Sequence, residues 1–207
     1  MLSRMPDPME HDHFVLRQRI KLVINQYEFS IPDANGDGEP FCFVEQKRFK
    51  FKEDIRFFTD ESKQQELLKI LARQRFDPAA RYDVTLPDGT TVGQVQKAFA
   101  SSLLRSTYIL YDATSHEVAR VRERSLGVAL FRRLIGFVPY VGNFAAWLPI
   151  PYDFEFLREE QRLGMHRRRR GKWRDIYDLD LSADTERTID RRLALAIAVG
   201  MDALQAR

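Results

Sequence analysis

The residues best suited to binding chemistry form one basic run, residues 166–174, which places six permanent cations and a tryptophan in nine positions. Guanidinium groups bind phosphate through paired N–H donors, and indoles favour the boundary between water and lipid. The run therefore predicts a site for an anionic phospholipid headgroup, where each basic side chain would contribute about 1 kcal/mol. The candidate headgroup-binding residues are Arg167, Arg168, Arg169, Arg170, Lys172, Trp173 and Arg174.

A structural role for the same arginines is the alternative. In an extended chain Arg167 and Arg169 point to one face, and Arg168 and Arg170 to the other. At least two of them must face solvent or acidic groups, because an unpaired charge is too costly to bury. The acidic residues nearest in sequence, which this alternative would pair with the arginines, are Glu155, Glu159, Glu160 and Asp175.

The positive charge of the chain is concentrated around this run. The 207 residues carry a net charge of +3, whereas residues 116–174 contain 13 basic and 6 acidic residues, a net charge of +7. Such an imbalance predicts a basic patch on one part of the surface and an anionic partner for it.

A second candidate site is the polar segment with Asp33, Asn35 and Asp37, whose spacing matches the first half of a calcium-binding loop. The twelfth position of such a loop is normally Glu, but here it is Val44. A polar hairpin turn is therefore the favoured interpretation, and no metal site is expected apart from this weak calcium candidate.

The common catalytic motifs are absent from the sequence. The sequence contains no Gly-x-Ser-x-Gly, His-Glu-x-x-His, phosphate loop or dinucleotide-binding fingerprint. Cys42 is the single cysteine, which excludes an intramolecular disulfide and fits a reducing compartment. We therefore predict no catalytic residue and no cofactor.

Most of the chain shows the alternation typical of β-strands. Residues 14–31 are rich in Val, Ile, Phe and Tyr, and residues 81–97 form a strand, an Asp-Gly turn and a returning strand. The pattern of residues 81–97 recurs 26 positions later in residues 107–123, with Tyr82 matching Tyr108 and Val95 matching Val121. Repeated hairpins predict a meander that closes into a barrel or folds as a sandwich.

The C-terminal segment is different, because residues 193–201 are apolar on every side of a helix. We predict a helix over residues 184–205, capped by Ser182 or Asp184, that is buried inside a closed sheet. Residues 1–13 are predicted to be a flexible tail, and residues 14–207 a single all-β domain around this central helix.

An apolar connection, residues 124–151, interrupts the strands. Its part from 134 to 151 has no charged residue, and its prolines and glycines exclude a straight transmembrane helix. It either packs on the barrel or forms a loop that contacts a membrane or a protein partner.

The chain resembles the Tubby C-terminal-like superfamily, and within it the bacterial LURP-one-related proteins, which are similar to phospholipid scramblases. The resemblance rests on the Asp-Gly hairpins, on Arg75-Phe-Asp-Pro78, and above all on Asp190-Arg-Arg-Leu-Ala-Leu-Ala-Ile-Ala-Val-Gly-Met-Asp202. It implies a twelve-stranded antiparallel barrel around a hydrophobic C-terminal helix, and functions such as phosphoinositide binding or lipid scrambling.

These observations together predict a non-catalytic binding module for an anionic membrane surface. A protein-interaction or structural domain, with residues 134–151 as its contact, is one alternative. A nucleic-acid-associated regulator is the other, but nucleic acid is disfavoured as a partner because the phenylalanines in Phe49-Lys-Phe-Lys52 are better explained as core. The N-terminus lacks the features of a signal peptide, so we expect a cytoplasmic protein that associates at most peripherally with membranes.

Overall fold

The computed structural model describes residues 6–20, 24–47, 54–72, 81–98, 106–124, 153–169 and 176–205. Within these ranges a short 3-10 helix, Pro8–Glu10, precedes twelve β-strands, and one α-helix follows them. The strands are β1 (His13–Ile20), β2 (Ile24–Ser30), β3 (Pro40–Lys47), β4 (Asp54–Phe58), β5 (Glu66–Ala72), β6 (Arg81–Thr85), β7 (Thr91–Lys97), β8 (Thr107–Asp112), β9 (Glu117–Glu123), β10 (Phe154–Arg158), β11 (Gln161–Arg168) and β12 (Ile176–Asp180). The helix is α1 (Arg191–Gln205).

The twelve strands form a closed antiparallel barrel in which each strand pairs with its neighbours in sequence. The barrel closes where β1 pairs with β12, with Phe14 opposite Leu179 and Leu16 opposite Tyr177. The predicted barrel with a central helix is therefore confirmed. The two repeats are the hairpins β6–β7 and β8–β9, in which Tyr82 and Tyr108 hold equivalent places.

Alternation along each strand separates an apolar inner face from an outer face. Inward residues such as Phe29, Phe57, Leu110 and Phe156 are fully buried and belong to one core with α1. A barrel of about eight strands is just wide enough for its own side chains to fill, so a wider one needs further material inside. The apolar helix α1 supplies this additional material.

Small residues allow the helix to fit within the wall. Ala194, Ala196 and Ala198 are buried along α1, and Gly93 of β7 faces the helix. A Cβ atom added at Gly93 would lie 3.1 Å from a methyl carbon of Leu193, which is tighter than ordinary van der Waals contact. The same atom would lie still closer to the backbone oxygen of Tyr111, so a larger residue here is excluded chiefly by the neighbouring strand β8, and the helix adds a further close contact.

The helix begins later than the sequence predicted. Residues 184–190 form turns, because the Asp184 carboxylate accepts hydrogen bonds from the backbone N–H groups of Thr188 and Ile189 at 2.9 and 3.0 Å. Asp190 caps α1 instead, accepting from the backbone N–H of Arg192 at 2.9 Å. The prediction that the helix starts at residue 184 was wrong, since Asp184 holds the preceding turn.

One buried ionic cluster fixes the start of α1. Arg191 has no exposed surface, and its Nη1 donates to Asp184 Oδ2 at 2.6 Å, where Asp184 is equally buried. Its Nη2 donates to Asp12 Oδ1, also at 2.6 Å. A cation at a helix N-terminus opposes the helix dipole, so the two carboxylates are needed to stabilise it.

The same cluster attaches the N-terminal segment to the barrel. Asp12 contacts Arg191 through its carboxylate, its carbonyl oxygen accepts from the backbone N–H of Leu181 at 2.7 Å, and the Met9 carbonyl accepts from Arg187. The sequence predicted a flexible tail over residues 1–13, but these contacts hold residues 9–13 against the end of the barrel. Within the described residues, no helix is both long enough and apolar enough to cross a membrane.

Replacing Arg191 with methionine should destabilise the protein strongly. R191M leaves Asp184 buried without its cation, so we expect a loss of about 3–5 kcal/mol in the free energy of unfolding. The control is R192M, because Arg192 pairs with Asp190 at a partly exposed site and should cost at most about 1 kcal/mol. Urea denaturation measures both, and equal losses in the two variants would contradict the role assigned to Arg191.

Candidate functional site

The basic run begins at the end of β11, next to the seam of the barrel. Arg167 lies on the outer face opposite Asp178 and is exposed, whereas Arg168 lies on the inner face opposite Tyr177 and is half-buried. The predicted alternation of the arginines is thus present over residues 167–169. The remaining candidates, which lie outside the described residues, are Arg170, Lys172, Trp173 and Arg174.

Arg169 makes the most extensive ionic contacts of the run. Its Nε and Nη2 donate to the two carboxylate oxygens of Asp178 at 2.8 and 2.6 Å, and its Nη1 donates to Asp37 Oδ1 at 2.7 Å. These hydrogen bonds raise the pKa of the Arg169 guanidinium above its ordinary value. Arg169 thus pairs with acids as the structural alternative predicted, but with Asp37 and Asp178, which were not among the acids named.

Asp37 joins Arg169 to a second arginine. Arg17 of β1 donates from Nη2 to Asp37 Oδ2 at 2.8 Å, so each oxygen of the carboxylate receives a different guanidinium. The hydrogen bond from Arg169 is the main reason why the pKa of Asp37 lies below its ordinary value. We call Arg17, Asp37, Arg169 and Asp178 the seam cluster, since they come together where β1, β12 and β11 adjoin.

Sequence reasoning did not predict the seam cluster. Arg169 and Asp37 are 132 positions apart, and no local pattern relates them. The available signal was barrel closure, because a β1 that pairs with β12 brings Arg17 beside the end of β11. A closed barrel was predicted from the sequence, but the strands that meet at its seam were not.

The candidate calcium residues form a turn between β2 and β3. Asp33 Oδ1 accepts from the backbone N–H of Asn35 at 2.7 Å, and the backbones of Asp33 and Gly36 bond to each other. The Asp37 carboxylate is instead directed at the two arginines. Among the described residues, no group of three or more His, Cys, Asp or Glu side chains could hold a metal ion. Calcium binding here stays a prediction without support from the geometry.

Cys42 lies in the barrel core with 1% of its surface exposed. Desolvation raises the pKa of its thiol far above the ordinary value, so the thiol stays protonated at neutral pH. A buried, protonated thiol is a poor nucleophile, which supports the interpretation of Cys42 as a packed core residue.

His166, at the start of the basic run, is not part of the cationic surface. It is inward-facing and buried, and its ring stacks on Tyr177 with centroids 4.9 Å apart. Neither ring nitrogen has a hydrogen-bond partner among the described residues, and a small cavity between the ring and α1 is lined by Tyr27, Ala198 and Met201. Desolvation lowers the pKa of His166 to about 4, so the ring is neutral at neutral pH.

Outer-face register aligns further arginines along β9–β11, with Arg122 nearer the basic run and Arg120 and Arg162 beside the beginning of β11. Antiparallel partners share a face of the sheet, so Arg120 of β9, Leu157 of β10 and Arg162 of β11 form one outward row. Arg122, opposite Glu155, lies in the next row. Glu117 pairs with Arg120 at 2.6 Å, and Glu155 lies 3.7 Å from Arg124. The outer surface of β9–β11 therefore carries several arginines with some acidic compensation.

Acidification should destabilise the protein through His166. Between pH 6.5 and 4 the unfolded chain binds a proton at this residue and the folded chain does not, so the free energy of unfolding falls as pH decreases. The loss is about 3 kcal/mol when pH 4 is reached, and it levels off below that pH. H166F, which keeps a ring against Tyr177, should lack this component, whereas H116F at an exposed site should keep it. Identical pH profiles for wild type and H166F in chemical denaturation would contradict the assignment.

Comparison with known proteins supports the LURP-one-related part of the resemblance. No curated protein matches the chain. A family model described as LURP-one-related matches residues 41–202, a span that runs from β3 through most of α1. Because the match covers more than half of the sequence, the chain belongs to the LURP-one-related family.

Proposed function

We propose that the chain is a non-catalytic binding module that recognises anionic phospholipid headgroups through the basic end of β11. The observation that carries the proposal is the outward position of Arg167 and Arg169 where β11 leads into the remaining basic residues of the run. Guanidinium groups on a rigid strand present their N–H donors to phosphate oxygens with little loss of conformational freedom.

The charges around the basic run support the approach of a membrane to the outer face of β11. Arg122 lies on the same outer face nearer the run, and Arg120 and Arg162 carry positive charge on this face toward the beginning of β11. Several cations facing one membrane act together, each contributing about 1 kcal/mol when the lipid is anionic. Trp173 stands between Lys172 and Arg174 in the sequence, so an indole suited to the boundary between water and lipid has a cation on each side.

The finer resemblance favours a lipid over other anions. Membership of the LURP-one-related family is shown. The resemblance of the sequence to Tubby C-terminal-like proteins and to phospholipid scramblases would in addition imply phosphate-bearing lipids as ligands. On this proposal the protein works at the cytoplasmic surface of a membrane as a peripheral component, and it binds lipid without chemical change.

A protein-interaction or structural domain is the second candidate function. It is favoured by the seam cluster, because Arg169 has carboxylate partners within its own chain and needs no ligand for charge balance. The apolar contact proposed for such a domain, residues 134–151, lies outside the described residues.

Removing the arginines should abolish binding to acidic vesicles. With Arg167, Arg168, Arg169 and Arg170 replaced by Gln, flotation with phosphatidylcholine–phosphatidylserine vesicles at low salt should fall more than about tenfold, since the outward Arg167 and Arg169 together contribute about 2 kcal/mol. Wild-type binding should weaken at high salt, because the attraction is screened. Neutral phosphatidylcholine vesicles should bind neither protein.

The matched control removes four charges from the opposite side of the barrel, by changing Arg56, Lys63, Lys69 and Arg81 to Gln. It should retain most of the wild-type binding. A triple variant that keeps Arg169 and the seam cluster guards against a loss caused by unfolding. If wild type ignores acidic vesicles at low salt, or if the control loses as much as the quadruple variant, the lipid proposal fails and the interaction domain is favoured.

A further inference from the structure

The seam cluster has the arrangement of an anion site that is filled from within the chain. Two guanidinium groups from β1 and β11 converge on the two oxygens of one carboxylate, with N–O distances of 2.8 Å from Arg17 and 2.7 Å from Arg169. The arginine side chains keep 35% and 28% of their surfaces exposed, and that of Asp37 keeps 23%. The contact therefore lies at the surface, where an external anion could reach it.

Asp178 orients one of these guanidinium groups without using all its donors. It accepts from Nε and Nη2 of Arg169, which leaves Nη1 directed at Asp37. A bidentate carboxylate fixes the plane of the guanidinium, so Arg169 would keep its orientation if Asp37 moved away.

The turn that carries Asp37 has a backbone that only glycine accommodates on both sides of this residue, and Gly38 packs closely on the backbone of Ile31. Asp37 lies between Gly36 and Gly38, with φ values of +145° and +70°. Glycine adopts such conformations at low cost, unlike residues with a side chain, so the release of Asp37 requires only a rotation of its own side chain. The Asp33–Gly36 bridge closes the turn before Asp37, so Asp37 can leave without opening the bridge.

The net charge of the seam cluster changes when the Asp37 carboxylate moves away from the two arginines. The four side chains of the seam cluster are neutral in sum, with two cations and two anions. Without Asp37 the cluster has a net charge of +1 and two unsatisfied guanidinium edges beside the exposed Arg167. A phosphate group offers at least two oxygens at a spacing similar to that of a carboxylate, so it fits both edges.

We infer that Arg17 and Arg169 form a phosphate-binding site and that Asp37 occupies it as an internal competitor. The inference rests on the proposed function for the source of the anion, a phospholipid headgroup, and adds that the β2–β3 turn holds the site closed. An anionic membrane opens it by exchanging its phosphate for the Asp37 carboxylate.

The test compares D37N with D88N, which removes the same charge from the β6–β7 turn on the far side of the barrel. Vesicles of phosphatidylcholine with phosphatidylserine should bind D37N about tenfold more tightly than D88N, since two guanidinium groups lose their internal partner. In D37S the side chain is too short to reach the two guanidinium groups, so this variant should behave like D37N. It replaces D37N in the comparison if D37N does not unfold cooperatively. If wild type binds the vesicles and D37N and D88N bind them equally well, the inference is overturned while the proposed function stays intact.

Inorganic phosphate tests the anion site in the absence of a membrane. At equal ionic strength, replacing chloride with phosphate should raise the thermal midpoint of D37N more than that of D88N, because a bound ligand stabilises the folded state. A rise in D37N without vesicle binding by any variant would support the anion site with free phosphate as its ligand and overturn the lipid proposal. No difference between the variants in either measurement would overturn the inference.

Discussion

The interior of a twelve-stranded barrel has to be filled, and this requirement governs the rest of the molecule. Inward side chains alone do not fill a barrel of this width, so α1 must be apolar on all sides and narrow, as its alanines make it. The first turn of α1 lies at one end of the barrel, and the charge of Arg191 in this turn must be paired. Arg191 meets that need by joining Asp184 and Asp12, which links the helix, the preceding turn and the segment before β1.

A filled interior leaves the outer surface and the rims for recognition. The described cavities beside α1 are small and mostly apolar, and the buried His166 is neutral at neutral pH. Cations that could meet a partner lie instead on the outside of β9–β11 and at the seam. The seam is also where strands distant in sequence come together, so charges there are balanced by partners that only the closed fold supplies.

Local patterns predicted what depends on neighbours in sequence. The hairpin repeats, the buried helix and the alternation of Arg167 and Arg169 follow from periodicity and turn residues, and the structure has them. The start of α1 was missed because Asp184 and Asp190 are both suitable caps in isolation, whereas in the fold Asp184 bonds the backbone of its own turn and the side chain of Arg191. The Asp37–Arg169 pair and the burial of His166 were missed because they depend on strand closure and register.

The pairing of β1 with β12 and the late position of α1 constrain how the chain is made. Synthesis delivers the strands in order, yet the wall cannot close until β12 has followed all the others, and the interior cannot be filled until α1 has followed β12. A growing chain therefore exposes an apolar, half-formed sheet for most of its synthesis, and contacts between such distant segments form slowly. We expect the ribosome-bound protein to depend on chaperones until residues 191–205 emerge.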